Sequence, residues 1–141
     1  MAKQSIEFDV KFKGFKFSDE FLLRGTFKSG LKWNKIKFHH SINIVYFHRI
    51  NTSERKIKFH FKLVMRPDVG EMSFDGECLL VSPEQNKIEF IMKNAPRVLG
   101  RLVDMFILKN SYLHAEIFAK QENFLFPPAK ELLKRLKLNY K

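Results

Sequence analysis

Five histidines, one cysteine and two carboxylates a residue apart are the side chains of this chain with reactive chemistry to offer. His39, His40, His48, His60 and His114 contain no pair at helical ligand spacing and have no cysteine close in sequence, so the pattern predicts no metal site. Asp75 and Glu77 would share one face of a strand, where two carboxylates could work as general acid and base. Lysines on a neighbouring strand would engage them in ion pairs instead. Cys78 falls in alternation with Phe74 and Leu80, which makes it a small core residue rather than an activated thiol. A single cysteine also excludes an intrachain disulfide, in keeping with a reducing compartment. No glycine-rich phosphate loop, nucleophile elbow or HExxH segment is present. The expectation is a non-enzymatic protein with no catalytic residues and no cofactor.

The elements that would position these residues form one α+β domain over residues 1–141, with strands first and helices after. Glu7 to Lys13 alternates apolar and polar residues, and at Gly14 the parity flips, so that Phe15 and Phe17 continue the apolar set; a bulge or bend is predicted there. Leu23 to Gly30 reads equally as a short strand or a loop. From Ile36 the apolar set runs through Phe38, His40, Ile42, Ile44 and Tyr46, with Lys37, His39, Ser41 and Asn43 opposite. The clearest strand puts Ile57, Phe59, Phe61, Leu63 and Met65 on one face and Lys56, Lys58, His60 and Lys62 on the other. After the turn Arg66-Pro67-Asp68-Val69-Gly70, the return strand faces Met72, Phe74, Cys78 and Leu80 inward and Glu71, Asp75 and Glu77 outward.

Ser82-Pro83-Glu84-Gln85 has the pattern of a capped helix start, with Asn86 to Lys93 following as helix in preference to strand. The main helix should begin at Asn94-Ala95-Pro96 and run to about Glu122, spanning roughly 40 Å. By the helical period Leu99, Leu102, Val103, Phe106, Leu113 and Ile117 form the stripe that covers its own sheet. Val98, Met105, Leu108 and Tyr112 form a second stripe on the far side, which predicts a partner subunit. The prolines of Phe124-Leu125-Phe126-Pro127-Pro128 should stop the helix, and Ala129 to Leu138 should form a short amphipathic helix with Leu132, Leu133 and Leu136 inward.

Binding is the remaining function class, and two features compete to define it. Sixteen phenylalanines among 141 residues exceed what an ordinary core uses, while a formal charge of +11 suggests phosphate as a ligand. Base stacking requires aromatic and basic residues on one face, yet Phe and Lys alternate here and so lie on opposite faces. A Lys-rich surface of the kind thermophilic proteins carry accounts for the charge as well. An apolar groove with an open strand edge suits extended polypeptide better. The partly exposed aromatics expected to serve it include Trp33, Tyr46, Phe47, Phe124 and Phe126. No apolar h-region follows Lys3 and no run approaches the roughly 18 residues of a membrane span, so a soluble cytoplasmic protein is expected.

Phe8 to Phe17 as opening strand, Asn94-Ala95-Pro96 leading into Val98 to Glu122, and Phe126-Pro127-Pro128-Ala129-Lys130-Glu131-Leu132-Leu133 together resemble the SecB-type chaperones over nearly the whole chain. The resemblance implies a homotetramer, a dimer of dimers with long helices between sheets. It also implies ATP-independent holding of unfolded clients, either export precursors or antitoxins. By position it implies Phe38, Ile42, Ile44, Tyr46, Phe124 and Phe126, which with the exposed aromatic Trp33 make up the expected peptide-binding set. The export members dock on their motor ATPase through acidic surface, whereas this chain carries Lys134-Arg135-Leu136-Lys137 near its end. The other reading of the charge is a basic RNA- or DNA-binding accessory protein.

Overall fold

The structure is a computed structural model that describes residues 10–25, 35–124 and 126–135. Four strands lead: β1 (Lys11–Arg24), β2 (Lys37–Asn51), β3 (Glu54–Arg66) and β4 (Gly70–Val81). Three helices follow: α1 (Lys87–Asn94), α2 (Pro96–Gln121) and α3 (Ala129–Arg135). Among the described residues the strands form one antiparallel sheet in the order β1-β4-β3-β2, so β1 and β2 are its edges. The α+β architecture read from the sequence is the one observed. Trp33, Leu136 and the stretch from Thr26 to Gly30 lie outside the described residues.

Strict alternation in the two central strands sets both faces of the sheet. Ile57, Phe59, Phe61 and Leu63 of β3 face the helices and are buried with Met72, Phe74, Cys78 and Leu80 of β4. The other face carries charge in cross-strand pairs: Lys56 to Glu77 at 3.7 Å, His60 to Asp75 at 2.7 Å and Lys62 to Glu71 at 3.6 Å. Pairs of this kind contribute about 0.2–1 kcal/mol each. They hold Asp75 and Glu77 as structural partners of the basic strand, and hydrogen bonding to His60 keeps the Asp75 carboxyl below its ordinary value. Burial pushes the Cys78 thiol up to about 12, so it packs as an apolar group.

Both edge strands are bulged. In β1 the register shifts between Lys13 and Lys16, where Gly14 takes a φ of 68°. That left-handed conformation is what glycine supplies at a parity flip. β1 then continues beyond the predicted alternation to Arg24, with a second shift between Ser18 and Phe21. In β2 shifts lie between Ile44 and Tyr46 and between Arg49 and Asn51. Gly76 serves a different end, because a Cβ there would stand 2.3 Å from Cζ of Phe59; the absent side chain leaves room for that ring in the core.

α2 begins at Pro96 as expected but is stopped before the prolines. Asn123 adopts a φ of 56°, its N–H donates to the Lys120 carbonyl, and Phe124 N–H donates to the Ala119 carbonyl at 2.8 Å. These are the two bonds of a Schellman cap, and Phe124 supplies the apolar contact that accompanies one. Arg24 of β1 donates to the Glu122 carbonyl and lies over the Phe124 ring, tying the cap to the sheet. α1 forms without the expected Ser82 cap: Ser82 accepts from Glu84 N–H in a bend, and Asn86 precedes the helix. α3 is anchored through Ala129 N–H, which donates to Glu116 of α2 at 2.8 Å.

Leu99 and Val103 face the core as expected, but further along α2 the face presented to the sheet differs from the one its large side chains suggested. Leu99, Val103, Ile107, Leu108, Ser111, Tyr112, Ala115, Phe118 and Ala119 are buried. Val98, Phe106, Leu113 and Ile117 are exposed. Leu108 and Tyr112 were expected on the far side and instead sit in the core, Tyr112 edge-on to Phe61 with ring centroids 5.6 Å apart. The reason is steric. A sheet face bearing Phe59, Phe61 and Phe74 is met closely by the small residues Ser111, Ala115 and Ala119, with Tyr112 fitted among them. Leu113 and Ile117 are thereby turned outward.

Candidate functional site

β2 is the element on which the predicted site residues converge, and as an edge strand it keeps one row of backbone donors and acceptors unpaired among the described residues. Its inward side chains before the bulge, Phe38, His40 and Ile42, are half-buried beside α2. The bulge after Ile44 then inverts the alternation. Phe47 turns inward against the core that includes Leu80 and Ile91, and Tyr46 pairs with Lys58 on the outer face. Sequence alternation had grouped Tyr46 with Ile42 and Ile44; the extra residue separates them, and Tyr46 packs under the Lys58 ammonium, 5.3 Å from its ring centre.

A groove follows the seam between β2 and α2. One compartment of about 280 Å³ is lined by Ile44, Phe47, Met92, Pro96, Leu99, Gly100 and Val103. The next, of about 480 Å³, is lined by His40, Ser41, Ile42, Arg101, Met105 and Leu108. Asp104 lines both and so marks where they meet. Partial burial pushes its carboxyl above the ordinary value. His40 is pushed the other way by burial and hydrogen-bonds Tyr112 through Nδ1 at 3.2 Å, so the buried tyrosine of α2 fixes the ring on the groove wall. Apolar compartments beside a free strand edge can hold alternate side chains of an extended chain while its backbone pairs with the strand.

The structure brings together some of the expected residues and disperses others. Ile42 and Ile44 line the groove. Phe38 and Phe126 meet edge-to-face with centroids 6.1 Å apart at the end of β2 nearest α3, under the Arg135 guanidinium. Phe124, expected to be partly exposed, is buried in the helix cap against the main core. Of the expected interface set, Val98 is exposed, Met105 is half-buried on the groove wall, and Leu108 and Tyr112 are unavailable to a partner because the chain's own sheet covers them. Met92, Pro96, Gly100 and Asp104 were not expected at the site. The only sequence signal for them is the proximity of the α1 end to Pro96, and nothing in their spacing indicates that β2 lies alongside.

Among the described residues no group of three or more His, Cys, Asp and Glu is arranged to hold a metal ion. No described helix is long and apolar enough to cross a membrane. No family model matches the chain, and no curated protein matches it. Among solved structures it is similar to the Mycobacterium tuberculosis Rv1957 SecB-like chaperone, solved in complex with a ChAD peptide from the Rv1956 HigA1 antitoxin. Identity is 10%, the match covers 85% of this chain and 86% of that one, and the TM-score is 0.47. So remote a likeness leaves function to be read from the residues.

Proposed function

We propose that the chain is an ATP-independent holdase of the SecB type, which binds unfolded polypeptide along the seam between β2 and α2. The observation that carries this reading is the pair of apolar compartments beside an open strand edge. Unfolded chains share an extended backbone and intermittent large apolar side chains, and this arrangement recognises both without requiring a sequence. Ile44 and Met92 retain exposed apolar surface for a client to cover, and Phe38 with Phe126 extends the apolar path toward α3.

The same reading includes self-association in a soluble cytoplasmic protein. Val98, Phe106, Leu113 and Ile117 leave an apolar stripe along the outer side of α2, continuous with Phe12, whose ring stacks on Phe106 at 4.6 Å. A second copy covering that stripe would make a homo-oligomer, with a tetramer of two such dimers as the expected state. This stripe takes the place of the set centred on Leu108 and Tyr112.

The test is suppression of aggregation. A reduced, denatured globular protein is diluted into buffer with and without this chain, no nucleotide present, at about 50 and 200 mM salt. Apolar capture predicts equal protection at both, because screening weakens charge pairing and leaves apolar burial intact. Absence of protection, or protection that vanishes at the higher salt, would overturn the holdase reading.

A further inference from the structure

The outer face of the sheet carries a second surface, and its ligand chemistry differs from that of the groove. β2 contains no acidic residue, and β3 contains only Glu54 at its first position. Register places Lys37 opposite Arg66, Ser41 opposite Lys62, Tyr46 opposite Lys58 and His48 opposite Lys56. The carboxylates that neutralise this face stand on β4 and engage Lys56, His60 and Lys62. Lys37, Lys58 and Arg66 form no ion pair among the described residues. The positive charge is therefore concentrated on the outer half of the sheet.

Aromatic rings join that charge only because of the β2 bulge. Unbroken alternation would put Tyr46 with Ile42 and Ile44, on the face away from the lysines. With one residue inserted, Tyr46 emerges on the lysine face, 38% exposed, and stacks on His48 with ring centroids 5.2 Å apart. Beside them a hollow of about 530 Å³ opens among Lys16, Val45, Lys58, His60 and Gly76, with the carboxylates Asp19, Asp75 and Glu77 along its β1 and β4 side. Exposed rings beside Lys58, which forms no ion pair among the described residues, next to a hollow large enough for a planar ring, match what single-stranded nucleic acid requires. An acidic polypeptide would use the cations and leave the stacked pair without a role.

We infer that the outer face of β2 and β3 binds single-stranded RNA, a base extending the Tyr46–His48 stack and the backbone running toward Lys37 and Arg66. From Tyr46 to Lys37 the strand covers about 30 Å. Asn43 lies on that path and offers a polar group to ribose 2′-hydroxyls, which is the ground for assigning RNA over DNA. This surface lies on the opposite side of the sheet from the groove and does not depend on client binding.

The experiment is fluorescence anisotropy of a labelled 12-nucleotide oligouridine with the full-length protein. With three phosphate contacts, affinity should fall about 20-fold between 50 and 200 mM salt. Tyr46→Ser should weaken binding about 10-fold and Tyr46→Phe should preserve it, since stacking needs the ring and not the hydroxyl. Lys58→Gln should flatten the salt dependence by one phosphate contact. Circular dichroism of each variant verifies the fold, and Tyr46 is exposed enough to be replaced without opening the core. The inference is overturned if oligouridine fails to bind at 50 mM salt, or if Tyr46→Ser binds as the parent does. Equal affinity for the matching oligodeoxythymidine would overturn the assignment to RNA. Displacement by polyglutamate at equal charge concentration would reassign the surface to acidic protein.

Discussion

Replacing Ile44 and Met92 together by serine tests the groove where it can be altered without touching the core. Ile44 is 37% exposed and Met92 41%, so each retains roughly two-fifths of its surface for a client to cover. Full burial of a side chain of this size is worth about 1.5–3 kcal/mol, which leaves about 1–2.5 kcal/mol of client affinity in the pair. The Kd for an unfolded polypeptide should therefore rise by roughly 5- to 70-fold. Titration of a reduced, fluorescently labelled unfolded protein at moderate ionic strength reads it directly. Leu113→Ser with Ile117→Ser is the matched control, because it removes similarly exposed apolar surface from the outer stripe of α2. Per protomer, the control should bind clients as the parent does, whatever its effect on assembly. If the Ile44/Met92 variant keeps a native spectrum and binds within about twofold of the parent, clients do not lie in this groove. If both double variants lose affinity equally, recognition is diffuse hydrophobicity and not the seam between β2 and α2.

Other substitutions separate assembly from folding. Leu113→Lys with Ile117→Lys should dissociate the oligomer in sedimentation experiments while leaving the protomer folded; an unchanged oligomer would place the interface elsewhere. Leu108→Lys should unfold the protomer instead, because the position is buried against the chain's own sheet, and circular dichroism would show it. Phe124→Ser should cost about 3–5 kcal/mol in urea denaturation, the range for large-to-small changes in a core, since the ring closes the α2 cap. Burial holds His40 below the ordinary histidine value of about 6.5. Above that value both folded and unfolded chains keep the ring neutral. As the pH falls below it the unfolded chain takes up the proton first, and folding stability drops. The melting temperature of the parent should therefore decline between about pH 7 and 5.5 more steeply than that of His40→Gln, and equal slopes would remove His40 from the account.

Period-two alternation was decisive wherever a strand has neighbours on both sides. The inward and outward sets of β3 and β4 were readable residue by residue, as was the glycine bulge at Gly14, because burial on one face leaves register no freedom. The β2 bulge has no glycine to announce it. Val45, Tyr46 and Phe47 are consecutive large apolar residues, a run compatible with either parity, so the division of Tyr46 from Ile44 had to come from the fold. The buried face of α2 departs from its apolar periodicity for a related reason. Hydrophobicity alone favours the large apolar residues, while the sheet selects by size and takes Ser111, Ala115 and Ala119 against its phenylalanines. The groove drew on Met92, Pro96 and Asp104 from helices, and no local pattern reports that β2 lies beside them.

The strand order sets a schedule for the chain's own synthesis. β1 is made first, yet its partner is β4, and Lys11 faces Val81 across the whole of β2 and β3. β2, β3 and β4 are joined by short turns and can pair as each emerges, but β1 must wait for the last of them. Until then Phe12, Phe15 and Phe17 have no strand to pair with. Non-local closure of this kind is the slow part of folding a sheet and the part most exposed to mispairing. A protein proposed to shelter unfinished chains thus passes through the same condition itself, with a waiting strand whose alternating Phe and Lys would suit its own groove.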